Sequence, residues 1–301
     1  MSQQAAEPPS PAASFHDGVN RGVAPVTYGE GNRPPRGDYA DARSDYTCEQ
    51  HWERHTEAEH ALYRQLYERQ VAQLDGLACE AFIAAVRGLD AAQQIPRFDA
   101  VNERLLAATG WRIEAVPGLI PEEAFFRLLS ERRFPVTRWL RRLDEIDYVV
   151  EPDVFHDFFG HVPLLFNPVF ADYMQAYGAG GLKASRLQAC EQLARLYWYT
   201  VEFGLIREAG GLRAYGAGLL SSAGELRHSV NAQGPQRVGF DLERMMRTRY
   251  RIDSYQPTYF VIDSFAQLFD ATAQDFTPIY QRVAQQPELA ADEAAPGDRP
   301  A

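Results

Sequence analysis

The sequence predicts a mainly α fold, a single domain of packed helices with a few short strands. Apolar residues recur at spacings of three and four through much of the central chain, whereas runs with the character of a β-strand are short and few. A chain of 301 residues, 46% of them hydrophobic, is long enough to bury one large core. We expect the ordered domain to cover residues 46–283.

The helical pattern is clear from Leu62 to Val86, where a stripe of apolar residues predicts amphipathic helices. The following Ile95-Pro96 marks a break. Further helical patterns cover residues 98–109, 121–131 and 187–206, and short extended runs cover residues 111–116 and 133–136. Two near-repeats rich in glycine, residues 176–180 and 214–218, predict turns.

Both ends of the chain have the composition of disordered tails. Residues 1–45 are rich in Ala, Pro, Gly and Ser, and residues 284–301 in Ala, Glu, Asp and Pro. Such segments contain too few large apolar groups to offset the entropy of ordering. The first tail also lacks the basic start and apolar middle of a secretion signal, which predicts a cytoplasmic protein.

Charge and cysteine content exclude several classes of partner. With 41 acidic and 30 basic residues the formal net charge is -11, which opposes binding to nucleic acid and to anionic membrane surfaces. No run reaches the roughly 18 apolar residues of a membrane-spanning helix. Three cysteines without CxxC spacing indicate reduced thiols. A small-molecule partner is therefore expected.

The most informative segment is Asp153–Pro163, which places two histidines in an apolar stretch. His156 and His161 are five residues apart, and on a regular helix they would point about 140° away from each other. Asp153 predicts an N-cap, and Gly160 together with the proline at the end of the segment predicts that the helix ends near His161. The second imidazole could then turn back toward the first.

A carboxylate follows about forty residues later, at Glu202, in a stretch so apolar that it predicts a buried helix. An ionised carboxylate there costs several kcal/mol unless a cation or hydrogen-bond donors compensate it. A metal ion bound by His156, His161 and Glu202 would do so. Alternatively the histidines are ordinary core residues and the glutamate pairs with an arginine. The same ligand set serves non-haem Fe(II) oxygenases and, with a water, zinc hydrolases, so both chemistries stay open.

A second histidine cluster comprises His51, His55 and His60. The first two have the four-residue spacing of one helix face. Four glutamates surround the cluster, which predicts a solvated, charged helix surface and argues against a second metal site.

The motifs taken together resemble the pterin-dependent aromatic amino acid hydroxylases, and most closely the short bacterial phenylalanine 4-hydroxylases. The resemblance runs from about Tyr46 to Val283. It is carried by Glu151-Pro152-Asp153, His156-Asp157, Gly160-His161-Val162-Pro163, Thr200-Val201-Glu202-Phe203-Gly204-Leu205, Ala214-Tyr215-Gly216-Ala217-Gly218-Leu219-Leu220-Ser221-Ser222 and Gln256-Pro257. It implies an aromatic amino acid hydroxylase fold and a catalytic domain at residues 46–283.

The activity that this resemblance implies is a monooxygenase reaction. Fe(II) would be held by His156, His161 and Glu202, a tetrahydropterin would be the cofactor and O2 the co-substrate. The reaction would convert L-phenylalanine to L-tyrosine. Val261 stands where tyrosine-preferring members tend to carry an acid, which favours an apolar ring, and tryptophan hydroxylation remains an alternative.

The resemblance also implies which residues would bind the pterin. Phe125 would stack on its ring. Glu122 and Asp157 stand where animal members have a serine and a glutamate that contact the pterin. The full implied set is Gly118, Leu119, Ile120, Phe125, Asp157, Ala194 and Tyr197.

For the amino acid, Arg141 matches the arginine that would hold the substrate carboxylate in a two-pronged hydrogen bond. Trp198, four residues before Glu202, would lie on the same helix face beside the metal. Val149 stands where animal members use a threonine. The remaining implied pocket residues are Pro152, Phe203, Gly218 and Ser221.

Two further functions stay open at this point, a zinc-dependent hydrolase that uses the same triad and a silent sensor that binds an amino acid or a pterin. The chain shows no long N-terminal regulatory domain and no clear C-terminal tetramerisation helix of the kind found in animal members. A monomer or a small homo-oligomer is therefore expected.

Overall fold

The computed structural model of the chain describes residues 35–301, and it confirms the mainly α prediction. The part of the predicted N-terminal tail at residues 1–34 lies outside the described residues. The α-helices are α1 (Glu57–Val71), α2 (Glu80–Leu89), α3 (Phe98–Thr109), α4 (Glu122–Ser130), α5 (Pro168–Leu187), α6 (Cys190–Tyr197), α7 (Ala217–Leu220), α8 (Ala223–Asn231), α9 (Leu242–Arg247), α10 (Phe265–Thr272) and α11 (Thr277–Ala284).

The strands form two small sheets. They are β1 (Arg112–Val116), β2 (Arg133–Thr137), β3 (Leu205–Glu208), β4 (Gly211–Ala214), β5 (Gln236–Gly239) and β6 (Thr258–Ile262). The first two pair in parallel, and the other four form a mixed sheet in the order β4-β3-β6-β5. In this sheet β3 pairs antiparallel with β4 and parallel with β6, which places the chain just after Glu202 at the centre of a sheet.

Several predicted elements have the expected bounds. The helix predicted at residues 98–109 is α3, and the extended runs are β1 and β2. The stripe from Leu62 to Val86 comprises two helices, α1 and α2. The first of them begins with a capping box, in which the Thr56 side chain accepts from Glu59 N while the Glu59 carboxylate accepts the Thr56 amide N–H.

The helix predicted at residues 187–206 is interrupted. It consists of α6, a π-helix at Trp198–Glu202, and then the first residues of β3. The predicted helix therefore ends at Glu202, and the last predicted residues join a sheet.

The turn predicted at residues 176–180 is wrong, because these residues lie inside α5. Gly178 in this range, and Gly181 just after it, allow close packing against α4. A Cβ at Gly178 would lie 2.5 Å from Ser130 N, and one at Gly181 would lie 2.1 Å from the Phe126 ring. The second near-repeat does form a connection, between β4 and α7.

The predicted tails are ordered where the structure describes them. Arg36 pairs with Glu145 at 2.8 Å, so the chain is held from residue 36 and not only from residue 46. At the other end Leu289 is 6% exposed, and Asp298 pairs with Arg244 at 2.9 Å. These contacts join segments far apart in sequence, which a prediction from local composition cannot detect. The boundaries drawn at residues 45 and 284 are therefore wrong as limits of the packed domain.

Candidate metal centre

The three side chains proposed as metal ligands converge at one buried point. Nε2 of His156 and Nε2 of His161 are 3.3 Å apart. Glu202 Oε1 lies 3.2 Å from His161 Nε2, and Glu202 Oε2 lies 3.7 Å from His156 Nε2. The side chains are at most 3% exposed. Within residues 35–301 this is the one group of three or more His, Cys, Asp or Glu residues that could share a metal ion.

The histidines come together because His156–His161 is a π-helix. A π-helix bonds each amide to the carbonyl five residues earlier, which brings residues five apart close together. The π-helix ends at His161, where the sequence predicted a helix end, and the chain then continues in a 3-10 helix at Val162–Phe166. The predicted N-cap is confirmed, because Asp153 Oδ1 accepts the backbone N–H of His156 at 3.0 Å.

Ser221 determines which nitrogen of His156 carries a proton. The Ser221 hydroxyl donates to Ala217 O at 2.8 Å and also lies 2.8 Å from His156 Nδ1. Since its one proton is used, the imidazole must donate through Nδ1, and Nε2 keeps its lone pair. Burial lowers the pKa of His156 to about 4, against the opposing effect of Glu202. His156 is therefore neutral at pH 7 and presents Nε2 to a metal ion.

Glu202 ends the second π-helix, and two glycines allow another part of the chain to pack closely against its backbone. A Cβ at Gly216 would lie 2.3 Å from Glu202 O, and one at Gly218 would lie 3.0 Å from it. The alternative that a nearby arginine neutralises Glu202 is not supported. Arg195 pairs with two other glutamates, and Arg207 lies 3.8 Å from an aspartate. The donor set of two imidazoles and a carboxylate fits a divalent cation of intermediate hardness.

Two of the residues implied for the pterin, Tyr197 and Phe125, form an aromatic group on one side of His161. The Phe125 ring meets the Tyr197 ring edge to face, with centroids 5.7 Å apart. The Tyr197 ring stacks toward His161 at 6.4 Å. Ala194, one turn earlier on α6, is also buried. The loop with Gly118, Leu119 and Ile120 connects β1 to α4, which carries Phe125. Their contact with a pterin stays a prediction.

Asp157 is a second buried carboxyl group in this region. Its Oδ2 accepts the backbone N–H of Thr137 at 2.8 Å. Its Oδ1 is buried and has no hydrogen-bond partner among the described residues. Burial raises the pKa of Asp157 to about 7. An incoming ligand with a hydrogen-bond donor could satisfy Oδ1, which supports the predicted role of Asp157 in cofactor binding.

Arg141, implied as the substrate clamp, already holds a buried partner. Its Nε donates to Asp153 Oδ2 at 2.8 Å and its Nη2 to Asp153 Oδ1 at 2.9 Å. The sequence identified Asp153 as an N-cap but missed this ion pair. Because the same carboxylate also caps the helix of His156, it links the implied substrate clamp to a metal ligand. The sequence did offer a signal for this ion pair, since an acid and an arginine lie twelve residues apart.

Trp198 forms part of an aromatic wall. Its ring stacks on the Tyr250 ring, with centroids 4.1 Å apart and planes at 15°, and lies 4.7 Å from the Phe203 ring. A Cβ at Gly218 would lie 2.9 Å from Phe203 Cζ. Trp198 and Glu202 lie at the two ends of one π-helix and not on an α-helix, and the place of the Trp198 ring beside the metal stays a prediction. Tyr250 was missed, since the polar segment around it gives no signal. Pro152 is buried beside Asp153.

The second histidine cluster is not one solvated helix face. His51 and His55 flank a 3-10 helix ahead of α1, and His51 Nε2 lies 3.1 Å from Asp41. His60 is 7% exposed, and its Nδ1 accepts the N–H of Ile95 at 3.3 Å. The prediction of a charged surface is therefore wrong for His60, which is a buried histidine with a hydrogen-bond partner. The three do not form a metal-binding group.

Comparison with known proteins decides the family. The profile of the biopterin-dependent aromatic amino acid hydroxylases matches residues 30–285. The chain belongs to this family. A curated phenylalanine-4-hydroxylase of Ralstonia nicotianae is 58% identical over 257 residues, which cover 85% of this chain and 82% of that one. A second, from Chromobacterium violaceum, is 56% identical, covering 85% and 86%.

Solved structures of the hydroxylase family agree with the fold. A crystal structure of Chromobacterium violaceum phenylalanine hydroxylase superposes with a TM-score of 0.84 at 54% identity, covering 88% of this chain and 95% of that one. Another, bound to cobalt, gives 0.83 at 55% identity, covering 86% and 93%. The family description confirms the expected pterin cofactor, and the triad agrees with a metal site. In residues 35–301 no helix is long and apolar enough to cross a membrane.

Proposed function

We propose that this protein is a phenylalanine 4-monooxygenase that converts L-phenylalanine to L-tyrosine with a tetrahydropterin and O2 at an Fe(II) site. The observation that carries the proposal is the convergence of His156, His161 and Glu202 in a chain 58% identical to a curated phenylalanine-4-hydroxylase. Zinc hydrolysis and silent sensing are not favoured, since neither explains the match to a biopterin-dependent hydroxylase family over most of the chain.

The protein's contribution is to place and isolate the reactants. Iron and tetrahydropterin, when bound, supply the redox chemistry that activates O2. His156 offers Nε2 because Ser221 holds the proton on the other nitrogen. The triad lies at most 3% exposed, so bulk water is kept from the reacting groups. The cobalt-bound structure of the Chromobacterium violaceum relative supports the choice of a divalent first-row metal.

The amino acid would be held at two ends. Asp153 occupies Nε and Nη2 of Arg141, which fixes the guanidinium and leaves Nη1 to donate to the substrate carboxylate. Trp198 and Phe203 offer apolar ring surface to the side chain. Val261 is 3% exposed and apolar, which favours phenylalanine over a phenol. Tryptophan hydroxylation is the alternative within the family.

One reconstitution experiment tests the proposal. The purified protein is loaded with Fe(II) without oxygen, then given tetrahydropterin, air and equal amounts of phenylalanine, tyrosine and tryptophan. We expect tyrosine from phenylalanine as the main product, dependent on O2. An iron-loaded protein that yields no hydroxylated amino acid would refute the proposal, and 5-hydroxytryptophan as the main product would favour the alternative. Turnover with zinc and without O2 would indicate a hydrolase.

The expected cytoplasmic location and the expected monomer or small homo-oligomer are part of the same proposal. Cell fractionation tests the location, and light scattering on the purified protein tests the assembly.

A further inference from the structure

The C-terminal segment after α11 contacts two arginines, Arg195 and Arg249, through the carboxylate of Glu288. Glu288 Oε1 accepts from Arg195 Nη2 at 2.6 Å, and Glu288 Oε2 accepts from Arg249 Nε at 2.6 Å. The Arg195 side chain is 4% exposed and that of Arg249 is 69% exposed. Glu288 therefore joins a buried arginine to a surface arginine from another part of the chain.

The backbone next to Glu288 strengthens this link. Leu289 N–H donates to Arg247 O, and Arg249 N–H donates to Leu289 O, both at 2.9 Å. Leu289 itself is 6% exposed. Residues 288–289 thus hold residues 247–249 by a side chain and by two backbone hydrogen bonds.

Both arginines lie close in sequence to the two stacked rings. Arg195 lies on α6, which continues into the π-helix that begins at Trp198. Arg249 precedes Tyr250, whose ring stacks on Trp198 at 4.1 Å. The Tyr199 hydroxyl donates to Arg249 O at 2.6 Å, which ties the same two segments together once more. Glu288 therefore bridges the two elements that carry the two rings.

Charge compensation alone does not explain this arrangement. Arg195 also pairs with Glu191 on its own helix, so the buried guanidinium has a carboxylate without Glu288. Among the described residues, Glu288 is the one side chain that forms ion pairs with both Arg195 and Arg249. Its distinctive effect is to link, through side chains, the helix that leads into the π-helix to the residue that precedes Tyr250.

We propose that Glu288 is a positioning residue for the amino-acid pocket, which holds Tyr250 against Trp198 by bridging Arg195 and Arg249. The inference rests on the proposed function only for the identity of the substrate. Residues that act through others typically change binding by 0.5 to 2 kcal/mol. This range corresponds to a change in affinity of about 2-fold to 30-fold.

The test compares Glu288→Gln with Glu293→Gln, which removes the same charge from the same segment. The Glu293 carboxylate accepts only the backbone N–H of Ala290 and contacts no arginine among the described residues. For Glu288→Gln we expect the KM for phenylalanine to rise about 3-fold to 10-fold, with the KM for pterin and the iron content unchanged. Glu293→Gln should match the parent. An unchanged KM for phenylalanine in both variants would overturn the inference.

A double-mutant cycle separates positioning from general destabilisation. Arg249→Gln should raise the same KM, and Glu288→Gln with Arg249→Gln should raise it no further than either alone, because both remove one link. If the double variant instead raised the KM by the product of the two single effects, the proposed bridge would be contradicted. Near-ultraviolet circular dichroism follows the stacked rings without turnover. A parent protein that makes no tyrosine would refute the proposed function, whereas an unchanged spectrum in Glu288→Gln would refute the inference.

Discussion

Two buried charged sites lie side by side in this protein and differ in how their charge is compensated. Arg141 and Asp153 form a pair with three hydrogen bonds, all within the chain. His156, His161 and Glu202 gather one acid and two imidazoles, and neither basic residue nearest Glu202 in sequence turns toward it. The first site is complete when the chain folds. The second is arranged for a cation that comes from outside.

The difference shows in the protonation of the side chains. Burial alone would raise the pKa of Asp153, but the charge and hydrogen bonds of Arg141 lower it, so the carboxylate stays ionised. In the triad, burial lowers the pKa of His156 and keeps the ring neutral. One site therefore stabilises the fold through its own charges, and the other keeps a lone pair for a metal at some cost in stability.

The largest effect should come from removing a ligand of the incomplete site. His156→Ala should abolish stoichiometric iron binding and lower kcat by at least about 10³-fold, because the remaining two ligands hold the metal poorly. Iron content after gel filtration and tyrosine formation measure the two effects. His51→Ala, a histidine outside the triad that contacts Asp41, should leave both unchanged. Full iron retention in His156→Ala would remove this residue from the ligand set.

The complete site should respond mainly in stability. Asp153→Asn leaves the Arg141 guanidinium, 2% exposed, without its counter-charge, which typically costs about 3 to 5 kcal/mol. Urea unfolding measures the loss. Asp144→Asn is the matched control, because that acid pairs with Arg142 on the exposed surface, where solvent screens the pair, and its loss should cost far less stability. Equal costs for the two variants would show that burial of the pair is unimportant.

At acidic pH the difference in unfolding free energy between the parent and Asp153→Asn should become smaller. The folded pKa of Asp153 lies below its unfolded value near 4. The stability that it contributes is present above that value and is lost as the pH falls through the folded pKa. We expect a constant difference in unfolding free energy from about pH 5 to 8, and a smaller one near pH 3. A difference that grows on acidification would contradict this sign.

The sequence predicted the features that depend on interactions between residues close together in the chain. The pattern of apolar residues predicted α3 at its observed bounds, since a helix of this kind depends on neighbours three and four positions away. The ligand triad was also accessible, because its residue types are rare in apolar stretches. The two π-helices were not, since a regular period was assumed and the extra residue per turn leaves no mark in the pattern.

Long-range contacts account for the remaining misses. The glycines of α5 suggested a turn, but their meaning depends on the approach of α4, far away in sequence. The C-terminal segment has the composition of a tail, and yet Glu288 finds two arginines that α6 and the chain after α9 present together. Tyr250 was missed for the same reason. Local composition indicates how much conformational entropy such a segment loses when it becomes ordered. It does not show which distant residues form the contacts that compensate for this loss.

The smallest expected effect concerns the residue that prepares the incomplete site. Ser221→Ala removes the acceptor for His156 Nδ1–H, so the ring loses its preferred tautomer and orientation. Metal affinity should fall about 10-fold to 100-fold, while the fold stays intact. Titration with cobalt, followed by its absorption spectrum, measures the affinity. Ser222→Ala, whose hydroxyl caps α8, is the control and should lose about 1 kcal/mol of stability without a change in affinity. If instead Ser221→Ala bound cobalt as tightly as the parent, the neutral ring of His156 would be oriented by burial alone, and the incomplete site would depend less on its surroundings than the geometry indicates.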